Sequence, residues 1–236
     1  MVPEAYWSLF GGFFCIIVWM LKKELRTLLS VSENKIFQKL NSPKKIQDFL
    51  DSLPINFETS GETYMSPRRV LTAGTAHCFE GALLAAAALG YHGQKPLLMD
   101  FQTGYDDEDH VVALFRHNGL WGAISKTNHA VLRYRDAVYQ TPRELAMSYF
   151  HEYFMWDGRK SLRAYSKPYD LSRFSLKKWV TASEELFWLA QGIDGSRHFP
   201  VVRKKNISAL RVASKIELDN LRFVEWKSVG KKSKKV

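Results

Sequence analysis

Apolar and polar residues recur along this chain with two periods, and the change from one to the other marks where elements begin and end. Ser42-Pro43 opens a stretch in which Ile46, Phe49, Leu50 and Leu53 fall on one helical face, until Pro54 stops it. Thr75 to Gly90 (TAHCFEGALLAAAALG) is almost entirely Ala and Leu after its first turn, and Gly90 and Gly93 supply stop signals. Small residues at Gly81, Ala82, Ala85, Ala86 and Ala88 cover most of its circumference, which predicts a helix buried on several sides. The period then shortens to two. Pro96 to Phe101 reads as a central strand, and Asp109 to His117 and Leu120 to Lys126 read as a hairpin about Asn118-Gly119. Pairing His117 with Leu120 makes paired numbers sum to 237, so Val112 faces Ser125 and His110 faces Thr127, all on one side of the sheet.

Weaker signals complete the pattern. Ser30 to Asn41 is polar, Thr59 to Thr63 reads as a loop, and Ser66-Pro67 as the cap and first residue of a short helix. Val131 to Tyr139 alternates like a strand. Thr141 with Glu144 is a capping box for a helix running to about Phe154, whose aromatics Tyr149, Phe150, Tyr153 and Phe154 belong in a core. Pro168 demotes Ser161 to Leu171 to an edge strand or loop. Ser183 caps a helix to Gln191, and Leu221 to Trp226 is a candidate last strand.

The N-terminus changes the picture. Ala5 to Leu21 is an uncharged run of 17 residues, about 25 Å long as a helix against a ~30 Å hydrocarbon core. Tyr6, Trp7 and Trp19 lie near its ends, and Lys22, Lys23 and Arg26 follow it. That arrangement predicts a single-span membrane anchor through residues 5–21 with the rest of the chain cytoplasmic. A cleavable signal peptide fits less well, because there is no basic n-region and no small-x-small site. A helix docked on the folded domain is the other alternative. The resulting division is 1–30 anchor, 31–58 helical lead-in, 59–226 main domain and 227–236 basic tail.

Two cysteines, one of them Cys15 inside the apolar run, leave no pair for a disulfide framework. The formal charge of +10 suits an anionic surface. No nucleic-acid motif accompanies it, so lipid headgroups explain the basic residues beside the apolar run better than a specific nucleic acid does. Asp106, Asp109, His110 and His117 match no metal-ligand spacing, and the hairpin carries His117 to the far end of its strand, so neither a metal nor a cofactor is expected.

Cys78, in the first turn of the Ala-rich helix, stands where the helix dipole favours a thiolate. A lone cysteine is by default a small buried hydrophobe; what shifts the balance is His110 opening the hairpin downstream. A cysteine at a helix start, a histidine opening a strand and then a Gly-x-Trp hairpin strand resembles the transglutaminase-like superfamily, which shares the papain-like catalytic core. The likeness covers roughly Met65 to Tyr153, and its bacterial members look similar in AHCFEGALLAAAAL, DHVVALFR, WGAISKTN and RELAMSYFHEYF. It implies Cys78 as nucleophile and His110 as base. The family carries an Asp four residues after the hairpin tryptophan, and four after Trp121 this chain has Ser125. Ser125 lies on the correct face, diagonal to His110. Asn128 is the alternative third member, provided that the strand breaks after Lys126 or Thr127.

The fold implied is α+β: a transglutaminase-like core with a catalytic helix packed on an antiparallel sheet and an apolar helix before it. The function implied is cysteine-dependent hydrolysis or acyl transfer on peptide or isopeptide amides of a protein or peptide substrate. The same fold without catalysis, as a membrane-associated binding module, is the second reading, motivated by the missing Asp.

Overall fold

The computed structural model describes residues 20–105 and 107–227. Residues 20–28 form helix α1. Leu21 and Leu25 on one side of it are buried, while Lys23 and Arg26 on the other are exposed. The two leucines close over Gly90 of the Ala-rich helix, where an added Cβ would lie 3.3 Å from Leu25 and 3.5 Å from Leu21.

That packing corrects the expected anchor. Residues 5–19 of the apolar run lie outside the described residues, and Leu21, its last member, sits in the protein core. Among the described residues no helix is long and apolar enough to cross a membrane. The single span, the membrane-associated location and the apolar helix preceding the fold therefore fall, and the cytoplasmic placement derived from them falls too. Lys23 and Arg26 are the solvated face of a docked amphipathic helix, not a collar at the headgroups.

Helix α2 (Val31–Lys39) arises inside the stretch that reads only as polar. Its signal is Ser30-x-x-Glu33: Ser30 Oγ accepts from Glu33 N–H, and the Glu33 carboxylate accepts from Ser30 N–H at 2.6 Å. Helix α3 (Pro43–Ser52), capped by Ser42, buries Ile46 and Leu50 as its spacing predicts, and also Gln47. Helix α4 (Pro67–Ala73) is capped by Ser66 and ends at Gly74 in the left-handed region. Helix α5 (Cys78–Tyr91) is buried from Phe79 to its end. Leu25, Phe37, Ile46 and Leu50 share one core with Leu83 and Leu84 of α5, so the lead-in helices belong to the same packed unit as the residues after 59.

The sheet is antiparallel with order β4-β3-β2-β1-β5-β7, and β6 pairs β1 beside β5. Its strands are β1 (Leu97–Thr103), β2 (His110–His117), β3 (Leu120–Ile124), β4 (Arg135–Tyr139), β5 (Leu162–Ser166), β6 (Tyr169–Asp170) and β7 (His198–Pro200). In the β2–β3 hairpin, His117 pairs with Leu120 and Ala113 with Ile124, the register a two-residue turn dictates. Asn118 and Gly119 both take positive φ, +49° and +84°. Alternation along β2 sorts the two faces: Val111, Ala113 and Phe115 pack toward α5, whereas Val112 and Leu114 pack with Leu145 and Tyr149. The molecule is thus mixed helix and antiparallel sheet, the α+β class.

Local signals were overridden where side chains had tertiary work. Helix α6 (Pro142–Met147) ends early, and Phe150–Glu152 is a 3-10 turn, although the four aromatics from Tyr149 to Phe154 are buried as expected. Strand β4 starts only at Arg135, whose guanidinium folds back onto the carbonyls of Val131, Arg133 and Tyr134. Ser183 starts no helix, because Glu185 instead pairs with Arg69 and accepts from Tyr64 N–H; helix α8 runs from Phe187 to Asp194. Short helices α7 (Leu176–Trp179) and α9 (Lys215–Asp219) flank it in sequence. Leu221 to Trp226 makes a single bridge, His129 to Val224, rather than a strand.

Gly81 lies where the stem of Lys126 crosses α5: a Cβ there would sit 2.4 Å from Lys126 Cβ. Gly81→Ala should therefore destabilise the fold by about 1–3 kcal/mol despite alanine's better helix propensity. A denaturant titration checks this, and a stabilised variant would show that the contact yields freely.

Candidate active site

Three parts of the chain meet at the N-terminus of α5. The loop before it is held by backbone pairing of Asn56 N–H with the Ala76 carbonyl at 3.1 Å and of Ala76 N–H with the Pro54 carbonyl at 3.2 Å. Glu80, fully buried in the first turn, accepts from His77 N–H and Met65 N–H at 3.0 Å each and from Thr63 Oγ1 at 2.8 Å. A carboxylate is tolerable there only because donors surround it. The consequence is a rigid loop 56–65 and a fixed start to the helix, with Cys78 as its first residue and half-buried.

His110 opens β2, buried, opposite Phe101 of β1. Its Nε2 lies 2.8 Å from Ser125 Oγ, and Ser125 Oγ donates its only proton to the Leu132 carbonyl at 2.7 Å. The hydroxyl must therefore accept from the ring, which makes Nε2 the protonated nitrogen and leaves Nδ1 for Cys78. Ser125 is itself clamped: its N–H donates to Gln47 Oε1 at 3.0 Å, and its carbonyl accepts from Gln47 Nε2 at 2.8 Å. One side-chain amide of α3 thus satisfies both backbone groups of a fully buried residue just past the end of β3. Lys126, the next residue, is also buried and donates its ammonium to the carbonyls of Leu50 and Leu53, closing the C-terminus of α3. Burial holds its pKa down at about 8.

The thiol is strongly perturbed. Burial pushes the Cys78 thiol up, but hydrogen bonding and charge from His110, and then from His77, outweigh it and hold the group at about 5. His77 stands at the cap position of α5, with Nδ1 4.0 Å from Sγ and Nε2 2.8 Å from the Thr63 carbonyl. Burial would lower its pKa, yet the neighbouring thiolate, Glu80 and the Thr63 carbonyl raise it to about 9. His77 escapes a reading by motif because it directly precedes the nucleophile and matches no spacing; its only sequence signal is an ionisable residue where a neutral cap would serve.

Asn128 goes elsewhere. Its Nδ2 donates to the Trp226 carbonyl at 2.9 Å and its Oδ1 accepts from Trp226 N–H at 2.8 Å, so the amide secures the C-terminal segment instead of His110. The strand does break after Ile124, but the break turns Ser125, not Asn128, toward the imidazole.

Cys78 and His110 border a cleft of about 820 Å³ whose walls also carry Glu58, Asp107, Glu108 and Trp156. Asp106 of the acidic run lies outside the described residues, and His117 is at the opposite end of β2. Among the described residues, Asp100, Asp109 and Asp194 bring carboxylate oxygens within 4.8 Å of one another. Each is already engaged: Asp100 with His198 at 3.0 Å, Asp109 with Thr103 and Asp194 with Gln102. No family model matches the chain, and comparison with curated proteins gives no significant match.

Proposed function

We propose that this protein is a cysteine-dependent enzyme of transglutaminase-like type, acting on peptide or isopeptide amide bonds through a thioester on Cys78. The observation that carries the reading is the chain from His110 Nε2 to Ser125 Oγ to the Leu132 carbonyl, which presents the opposite ring nitrogen to a depressed thiol. The resemblance in the order of cysteine, histidine and hairpin tryptophan supports it, and so does the antiparallel sheet against which the cysteine's helix packs.

In the reaction, the Cys78 thiolate attacks the amide carbonyl carbon. The first-turn N–H groups of α5, which lack intrahelical carbonyl partners, stabilise the oxyanion. The C–N bond breaks as His110 delivers a proton to the leaving nitrogen, giving an acyl-thioester and a free amine. Water or a second amine then attacks the thioester, His110 takes up its proton, and the thiolate leaves. Ser125 holds the ring in its tautomer, in the position where the family has a carboxylate. A neutral oxygen stabilises the imidazolium less than a carboxylate does, which favours slow turnover and keeps a silent binding fold as the second reading.

Iodoacetamide distinguishes these outcomes. The alkylation rate of Cys78 should titrate near pH 5, far below the ordinary thiol range of about 8.5, and Cys78→Ala should abolish release of amine from a peptide amide library. A thiol titrating near 8.5 would overturn the proposal. A depressed thiol without turnover on any amide would move the reading to a binding fold.

A further inference from the structure

His77 is wedged. Its ring meets Tyr64 edge-on at 6.1 Å and stacks on Phe79 at 6.4 Å, and its side chain is 16% exposed. Nε2–H is fixed on the Thr63 carbonyl. Beyond that bond lie two carboxylates, Glu80 at 3.4 Å and Glu58 at 3.8 Å from Nε2. Opposite them, Nδ1 faces Cys78 Sγ at 4.0 Å. With Nε2 committed as a donor, a neutral ring would turn a lone pair toward the sulfur, and a charged ring would turn an N–H toward it. The carboxylates favour the second arrangement, because they stabilise a cation that the thiol's own proton can create.

We propose that His77 is a second imidazole serving Cys78: it holds the thiolate as a fixed counter-ion, while His110 alone moves the proton between leaving group, water and thioester. The inference rests on the reading of Cys78 as a nucleophile. It separates two tasks that a single Cys–His pair must combine. In the active form, Sγ is deprotonated and both imidazoles are charged. When the S–C bond forms and the C–N bond breaks, the proton on His110 Nδ1 goes to the leaving nitrogen. When water attacks and the S–C bond breaks, its proton returns to His110 Nδ1. The proton on His77 Nδ1 stays in place through both steps. His77 is suited to this because Thr63, Glu80, Tyr64 and Phe79 fix it, whereas His110 is tethered by one neutral hydroxyl. The charged and titratable groups around His77 are Cys78, Glu80, Glu58, Tyr64 and Glu185 of the segment before α8.

The test uses the full chain and needs no substrate. The pH dependence of Cys78 alkylation by iodoacetamide is compared in wild type, His77→Gln and His110→Gln. Gln at 77 can keep the bond to the Thr63 carbonyl but carries no charge. His77→Gln should raise the thiol midpoint by about one to two pH units, roughly a 10- to 100-fold loss of thiolate below it. His110→Gln should leave the midpoint clearly below 8.5 although amide turnover is lost. A wild-type midpoint in His77→Gln, or an ordinary thiol in His110→Gln, overturns the proposal by making His110 the sole counter-ion. If His77→Gln does not fold, histidine ring nitrogen NMR on wild type decides: His77 should remain doubly protonated at pH 7, and a bare Nδ1 there overturns the idea. Failure of wild type to cleave any amide would sink the enzymatic reading without moving these midpoints, so the two failures stay distinguishable.

Discussion

His110→Gln should lower kcat/KM on an amide substrate by about 10²- to 10⁴-fold, the range typical for loss of a positioned acid–base group. Gln fills a similar volume and can still donate to Ser125 Oγ, so the change removes proton transfer with the least disturbance of a buried site. Far-UV circular dichroism should be unchanged, which ties the rate loss to chemistry. Ser125→Ala should act in the same direction but less, by roughly 10-fold, because a neutral hydrogen bond orients the ring without stabilising its charge strongly. Restoring the family's carboxylate with Ser125→Asp would not rescue activity. The Ser125 hydroxyl donates to the Leu132 carbonyl at 2.7 Å, and a carboxylate would meet that carbonyl with two lone-pair oxygens and no proton. It would also be a charge in a fully buried position. A series in which Ser125→Asp exceeds wild type while His110→Gln is inert would contradict this account of the site.

Why Ser125 and not Asn128 reaches His110 was legible before any coordinates, since a two-residue turn fixes the hairpin register and register fixes faces. The same holds for α5: Ala and Leu composition, small residues all round and a cysteine in the first turn translate directly into a buried helix with a thiol at its end. Local rules failed where one side chain answers to a distant partner. Glu185 looks like a first-turn helix residue but is drawn to Arg69 and Tyr64 N–H. The basic residues after Leu21 look like a membrane collar, yet Leu21 and Leu25 find their apolar surface on Gly90. Nor does periodicity distinguish a lipid-facing leucine from a core one. Gln47 and His77 were invisible for a related reason. Each owes its place to bonds with backbone groups or atoms of residues that no fixed spacing connects to it, Ser125 in one case and Thr63 in the other.

Gln47→Leu tests the most distant of those dependencies. Leucine matches the buried volume of α3 but offers nothing to Ser125, leaving that residue's N–H and carbonyl without the partners that Gln47 supplies at 3.0 and 2.8 Å. Each buried orphan costs about 1–3 kcal/mol, so the variant should lose about 2–5 kcal/mol of stability. For a chain of this size that is a fall in Tm of roughly 5–15 °C. Activity measured well below Tm should fall as well, because Ser125 loses the clamp that sets its hydroxyl between His110 and Leu132. Gln47→Glu separates acceptor from donor. It keeps an acceptor for Ser125 N–H but turns a carboxylate toward the Ser125 carbonyl and toward Asp51, which Gln47 Nε2 now reaches at 2.8 Å. Its defect should therefore shrink as pH falls and the new carboxyl takes up a proton, whereas the Gln47→Leu defect should not depend on pH in that range. Full activity with wild-type Tm in both variants would mean that Ser125 is positioned by its own strand, and that α3 contributes packing alone to this site.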